Sequence, residues 1–200
     1  LSGKGGTGKT TIASAFIKLA DAKVYADCDV DAPNLHLING WKTKPKREDY
    51  FGLPIATIDS KLCIECGKCK EHCRFDAISN KEGYKVNPFA CEGCSVCEYV
   101  CPVNAIAMEL NVAGDLMLYS DREKVFSTAQ LKMGSGTSGL LVTQVKNRMK
   151  SEASNTKLAI IDGSPGIGCP VIASLSGVDM VVIVAEPTIS GISDMERIIN

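Results

Sequence analysis

Apolar residues recur along this chain with two spacings. From Ala13 to Ala20 they follow a helical period, and Lys23 to Ala26 read as a short strand. Trp41 to Asp49 are polar and read as a loop, and Gly52 to Ile58 read as a strand. Met108 to Ser120 alternate around Ala113-Gly114-Asp115, which predicts a hairpin. Lys124 to Leu131 predict a further strand, Ser135 to Gly139 a flexible loop, and Leu140 to Lys150 a helix. Lys157 to Asp162 and Val178 to Ala185 are continuous apolar runs, the pattern of strands buried on both faces. Ile189 to Asn200 read as a last helix. Strands alternating with helices indicate an α/β fold.

The 200 residues allow one or two domains, and a hydrophobic content of 45% is enough for a core. With 22 basic and 23 acidic residues the charges nearly cancel, so nothing global argues for nucleic acid or an anionic membrane. Lys42, Lys44, Lys46 and Arg47 form a short basic cluster that reads as a solvated loop. No apolar run reaches membrane-spanning length and no signal peptide precedes the first motif, so the expectation is a cytoplasmic chain. Only Leu1 and Ser2 precede that motif, and the last helix has no cap. The chain therefore reads as a fragment truncated at both ends.

The first motif is Gly3-Lys4-Gly5-Gly6-Thr7-Gly8-Lys9-Thr10-Thr11, a full match to the phosphate-cradling P-loop G-x-x-x-x-G-K-[ST]. Its glycines let successive backbone N–H groups point inward, and the following helix places the positive end of its dipole beneath the phosphates. Lys9 is expected on the β- and γ-phosphates and Thr10 on Mg²⁺. Asp27 and Asp29 follow a strand and share one side of an extended segment, with Cys28 on the other. Asp162 ends an apolar strand, as a Walker B acid does, and is expected in the Mg²⁺ shell. Gly163 to Gly168 supply a mobile loop after it.

Ten cysteines in a chain with no export signal point to metal ligation rather than disulfides. Eight fall in two runs, Cys63-x₂-Cys66-x₂-Cys69-x₃-Cys73 and Cys91-x₂-Cys94-x₂-Cys97-x₃-Cys101-Pro102. This is the bacterial ferredoxin spacing, repeated at an offset of 28 residues, and it favours [4Fe–4S] over zinc. In such ferredoxins the fourth cysteine of each run serves the other cluster. One set is then Cys63, Cys66, Cys69 and Cys101, and the other is Cys91, Cys94, Cys97 and Cys73. Arg74 stands where the pattern expects proline, and His72 reads as a surface residue.

The two-lysine loop resembles the deviant P-loop of the MinD/ParA/nitrogenase-iron-protein ATPases. The whole chain resembles members of that superfamily that carry an inserted ferredoxin domain. The resemblance implies a mostly parallel P-loop NTPase sheet over residues 1–58 and 110–200. The insert, a small α+β bacterial ferredoxin-like domain, would span residues 59–109. It also implies ATP and Mg²⁺ as cofactors, a homodimer whose Lys4 reaches the other subunit's nucleotide, Asp29 orienting the attacking water, and Asp27 supporting the metal shell. Two activities stay open: ATP-gated electron transfer through two [4Fe–4S] clusters, and assembly or carriage of metal clusters. Either implies a redox or metallocofactor-assembly partner; no nucleic acid is expected, and membrane association stays open. Cys169 lies seven residues after Asp162. The nitrogenase iron protein has a cluster-ligating cysteine at that offset, but here a structural or reactive thiol is the favoured reading.

Overall fold

Val24–Asp27 (β1) is buried along its whole length, so it can only sit between two other strands. The computed structural model describes residues 1–41, 43–153 and 156–199, so Lys42 and Asn200 lie outside the described residues. Two compact units divide the chain. The larger comprises Leu1–Tyr50, Gly114–Met133 and the chain from Thr137 on; the smaller comprises Phe51–Ala113 with Gly134–Gly136.

In the larger unit, Lys9–Leu19 (α1) precedes β1, and Leu35–Asn39 (α2) and Lys46–Phe51 (β2) follow it. After the smaller unit come Val112–Ser120 (β7), Val125–Leu131 (β8), Ser138–Glu152 (α5), Ala159–Asp162 (β9), Cys169–Leu175 (α6) and Ile189–Ile199 (α7). The sheet order is β2-β7-β8-β1-β9. β1 runs parallel to β8 and β9, whereas β7 and β8 are antiparallel, so the sheet is mixed rather than mostly parallel. The antiparallel pair arises because Ser120 and Val125 are joined by a tight turn, in which Asp121 accepts backbone N–H bonds from Glu123 and Lys124. Tyr25, Phe126, Tyr119, Met117, Ile17 and Leu35 form the core, with Tyr25 and Phe126 rings 5.0 Å apart. Leu141, Val142, Val145 and Met149 give α5 its buried face.

Three further sequence expectations change. Lys46–Phe51 is a strand, hidden from pattern reading because Tyr50 is its one buried side chain. Ala113-Gly114-Asp115 lies inside the long strand β7, not in a turn. A Cβ on Gly114 would sit 2.7 Å from the Gln130 carbonyl, so glycine here permits close strand approach. Val178 to Ala185 do not form a buried strand: Met180, Val181 and Val182 are exposed. No strand forms there among the described residues; Leu1 donates its amino group to Val182 O, and its carbonyl accepts from Val184 N, each at 2.8 Å. A cleft of about 640 Å³ separates this segment from β9 and α1, which leaves Leu158 half exposed.

The smaller unit contains Ile55–Ile58 (β3), Lys68–Glu71 (α3), Ile78–Ser79 (β4), Lys85–Val86 (β5), Val96–Tyr99 (α4) and Ile106–Glu109 (β6). β3 pairs antiparallel with β6, and β4 with β5. Its core is Ala56, Ile78 and Ile106 packed with Cys69 and Cys97. Aliphatic content this small is consistent with a fold that needs an internal staple.

Candidate nucleotide and iron–sulfur sites

Glycine is required in the first loop for conformation. Gly6 and Gly8 have φ of +83° and +88°, a region closed to most side chains, and a Cβ on Gly5, Gly6 or Gly8 would point into open space. Together they leave a cradle at the start of α1. Gly3 is different: a Cβ there would lie 2.4 Å from Asp194 Cβ, so Gly3 serves packing against α7.

Lys9 is buried at the mouth of the helix, and its charge acts on both Asp162 and Asp29. Thr10 faces Asp162 and, by hydrogen bonding, partly offsets the upward pKa shift that burial gives that carboxyl. Asp162 Oδ2 and Thr7 Oγ1 are two of seven buried side-chain polar atoms that have no hydrogen-bond partner among the described residues. These two lie at the loop, where a bound phosphate or cation would complete them. Thr11, the third residue of α1, is exposed.

Asp27 and Asp162 sit directly across from each other at the carboxyl ends of β1 and β9. Asp27 is fully buried and its carboxylate accepts backbone N–H bonds from Asp29, Asn34 and Leu35, all at 3.0 Å. It thus orders the turn that carries Asp29. Burial pushes its carboxyl up to about 7, with the Asp162 charge adding to the rise and the N–H bonds opposing it. Asp29 is half-buried, accepts one bond from Ala32 N, and is also raised by burial. Ser164, just after Asp162, donates its hydroxyl to the Cys28 carbonyl, so the two acid-bearing turns are tied together. Pattern reading gave no signal for this serine. Cys28 is fully buried with its thiol pushed up to about 12, an inert filler.

Lys4 is exposed and pairs with Glu186 of its own chain at 3.7 Å. Cys169 is the exposed first residue of α6, beside Gly139, where a Cβ would meet its own at 2.9 Å. Lys146, also unsignalled by sequence, is buried and donates to the carbonyls of Ala173, Ser174 and Ser176 at 2.6–2.8 Å. It closes the C-terminal end of α6.

The cysteines converge as two quartets. Cys63, Cys66, Cys69 and Cys101 line one hollow with Ile58, Gly67 and Tyr84. Cys73, Cys91, Cys94 and Cys97 line another with Ala56, Phe75 and Met108. The backbone repeats at the 28-residue offset: α3 and α4 correspond, and Glu65/Gly93, Gly67/Ser95 and Asp76/Asn104 all have positive φ. Gly93 is obligatory in a second sense, since a Cβ would stand 2.6 Å from the Pro54 carbonyl. Each quartet offers four thiols lined by apolar groups, the donor set of a [4Fe–4S] cluster. Among the described residues no three His, Cys, Asp or Glu side chains are arranged around a single metal ion. His72 is exposed, with Nδ1 at 2.9 Å from Lys68 O.

No helix among the described residues is long and apolar enough to cross a membrane. Residues 56–108 match the 4Fe–4S dicluster domain family. The whole chain is 37% identical to 71% of the uncharacterized protein MJ0578 of Methanocaldococcus jannaschii. Over 99% of the chain it is 33% identical to the uncharacterized protein MJ0579 of the same organism, covering 72% of that protein. Over 64% of its length the chain is also 30% identical to a Staphylococcus haemolyticus protein named "putative formate dehydrogenase", of which it covers 15%. The chain therefore belongs to the family of MJ0578 and MJ0579, as an iron–sulfur protein with a 4Fe–4S dicluster domain.

Proposed function

We propose that this chain binds and hydrolyses MgATP, and that nucleotide state in a dimer gates electron transfer through two [4Fe–4S] clusters. The observation that carries the nucleotide half is the pairing of an open glycine cradle with a buried, unpartnered carboxylate oxygen, Asp162 Oδ2, facing the Lys9-Thr10 turn. Lys9 and the loop N–H groups would hold the phosphates, Thr10 and Asp162 the Mg²⁺, and Asp29 would orient water. Bound Mg²⁺ would supply charge neutralisation at the phosphates. Asp27 would act by fixing the turn beneath Asp29. For Lys4, the in-chain partner Glu186 is one of two roles; release from it on dimer formation would free the ammonium for the other subunit's nucleotide.

The clusters would supply one-electron chemistry, with Cys63, Cys66, Cys69 and Cys101 on one and Cys91, Cys94, Cys97 and Cys73 on the other. Similarity to part of a protein named "putative formate dehydrogenase" supports a redox role. A second reading, cluster assembly or carriage, is favoured by one fact: Cys66 and Cys94, one ligand of each quartet, are exposed to solvent and accessible to an acceptor's thiols.

Anaerobically prepared protein should contain about eight iron atoms per chain and absorb in the visible. It should bind one MgATP, and the Lys9→Ala variant should not. Two zinc ions and no visible absorbance would sink the iron–sulfur half, and undiminished ATP binding by Lys9→Ala would sink the nucleotide half.

A further inference from the structure

The two halves of the iron–sulfur unit share a backbone plan but differ in charge. From Asn87 to Asp121 the chain has no lysine or arginine. Glu92 and Glu98, both exposed, adjoin Cys91 and Cys97. Around the first run the charges balance instead: Lys61, Lys68 and Lys70 are exposed, opposed by Asp59, Glu65 and Glu71. Among the described residues neither Lys61 nor Lys68 forms an ion pair. Arg74 follows Cys73 and works against the difference, but it is one cation beside two acids.

Hydrogen bonding adds to the asymmetry. Cys101 Sγ accepts the backbone N–H of Ala105 at 3.2 Å. The repeat-equivalent pair, Cys73 and Ala77, makes no such bond among the described residues. Reduction adds negative charge to a cluster and its thiolates. A nearby cation or an N–H donor to a ligand sulfur stabilises the reduced form, and a nearby carboxylate opposes it.

We propose that the two clusters are unequal, the one held by Cys63, Cys66, Cys69 and Cys101 having the higher reduction potential. An electron accepted from an external one-electron donor at the Cys91 set then passes to the Cys63 set, oxidising the first and reducing the second. This gives the unit a direction, with entry on the acidic side and exit on the lysine side. The inference rests on the proposed ligand sets and electron-transfer role.

The test is an EPR-monitored redox titration of the loaded full chain, with dithionite as reductant and mediators present. Two reductive steps should be resolved. Lys61→Gln/Lys68→Gln should lower the higher step and leave the other in place. Glu92→Gln/Glu98→Gln should raise the lower step alone. Both changes narrow the gap, as should raised ionic strength, because the charges are exposed. All four substitutions are on the surface, so folding is not at stake. If the lysine pair moves the lower step, or the glutamate pair the higher, the order is overturned. A single unresolved step in wild type and both variants overturns it as well, with the clusters still intact. A sample without two [4Fe–4S] signals would instead overturn the proposed function itself.

Discussion

Gly93→Ala isolates what the iron–sulfur backbone requires at one atom. Gly93 has φ of +64°, and its added Cβ would lie 2.6 Å from the Pro54 carbonyl oxygen and 3.1 Å from Leu53 Cβ. The left-handed backbone alone costs an alanine ~1–2 kcal/mol. Repeat-related Glu65 tolerates it at φ +54°, so conformation is not the whole requirement. The overlap with backbone oxygen adds ~1–3 kcal/mol, because the carbonyl moves only if the entry to β3 moves with it. The expected total is ~2–5 kcal/mol. Gly83→Ala is the control: φ is +82°, but nothing lies within 4 Å of its Cβ, so it should lose ~1–2 kcal/mol. Gly67→Ala meets only the mobile end of Tyr84 at 3.1 Å and should fall between. The assay is anaerobic thermal and urea unfolding followed by cluster absorbance. Equal losses for Gly93→Ala and Gly83→Ala would refute the steric argument.

Other outcomes follow from the same geometry. On the proposed crossed ligand sets, Cys73→Ala should damage the cluster assigned to Cys91, Cys94 and Cys97, read by Mössbauer or EPR signals; damage confined to the other cluster would remove the crossed ligation. On the proposed mechanism Asp29 would act on water rather than on ground-state phosphate, so Asp29→Ala should keep ATP binding and lose hydrolysis; equal turnover by wild type and variant excludes it from the mechanism. Asp27 gives a pH dependence. Its carboxyl is raised from 3.8 to about 7 by burial, so the folded chain binds the extra proton between those values and loses stability as pH rises through them. The displacement corresponds to ~4 kcal/mol at most. Asp27→Asn should flatten that slope, at a cost of ~1–3 kcal/mol because its amide cannot accept from all three N–H groups. Denaturant titrations of the nucleotide-free chain that show the same slope for both proteins would count against it.

The grouping of the eight cysteines was more legible in the sequence than the sheet. Cysteine spacing is set by the reach of a short loop around a cluster, so eight side chains could be read directly from their positions. The glycine loop was equally plain, since positive φ at Gly6 and Gly8 leaves little choice of residue. Strand β2 was not legible because an edge strand with one buried side chain has no period to detect. Gly114 misled for a related reason: glycine marks both turns and close strand contacts, and only the Gln130 carbonyl beside it distinguishes them. Val178 to Val182 carry the composition of a buried strand, yet burial needs neighbouring strands on both edges, and among the described residues no strand pairs with them. Ser164 and Lys146 left no mark because their partners are backbone carbonyls, which any sequence supplies.

The most direct test of ATP-gated electron transfer is the potential of each cluster in the loaded protein, measured without nucleotide and with saturating MgATP. Coupling of ordinary size, ~1–3 kcal/mol, shifts a one-electron potential by roughly 40–130 mV, and reduction must then change ATP affinity by the same free energy. The account expects a shift of that size in at least one cluster, absent in Lys9→Ala. Potentials that agree within about 10 mV with and without MgATP would contradict it and leave cluster carriage as the better reading.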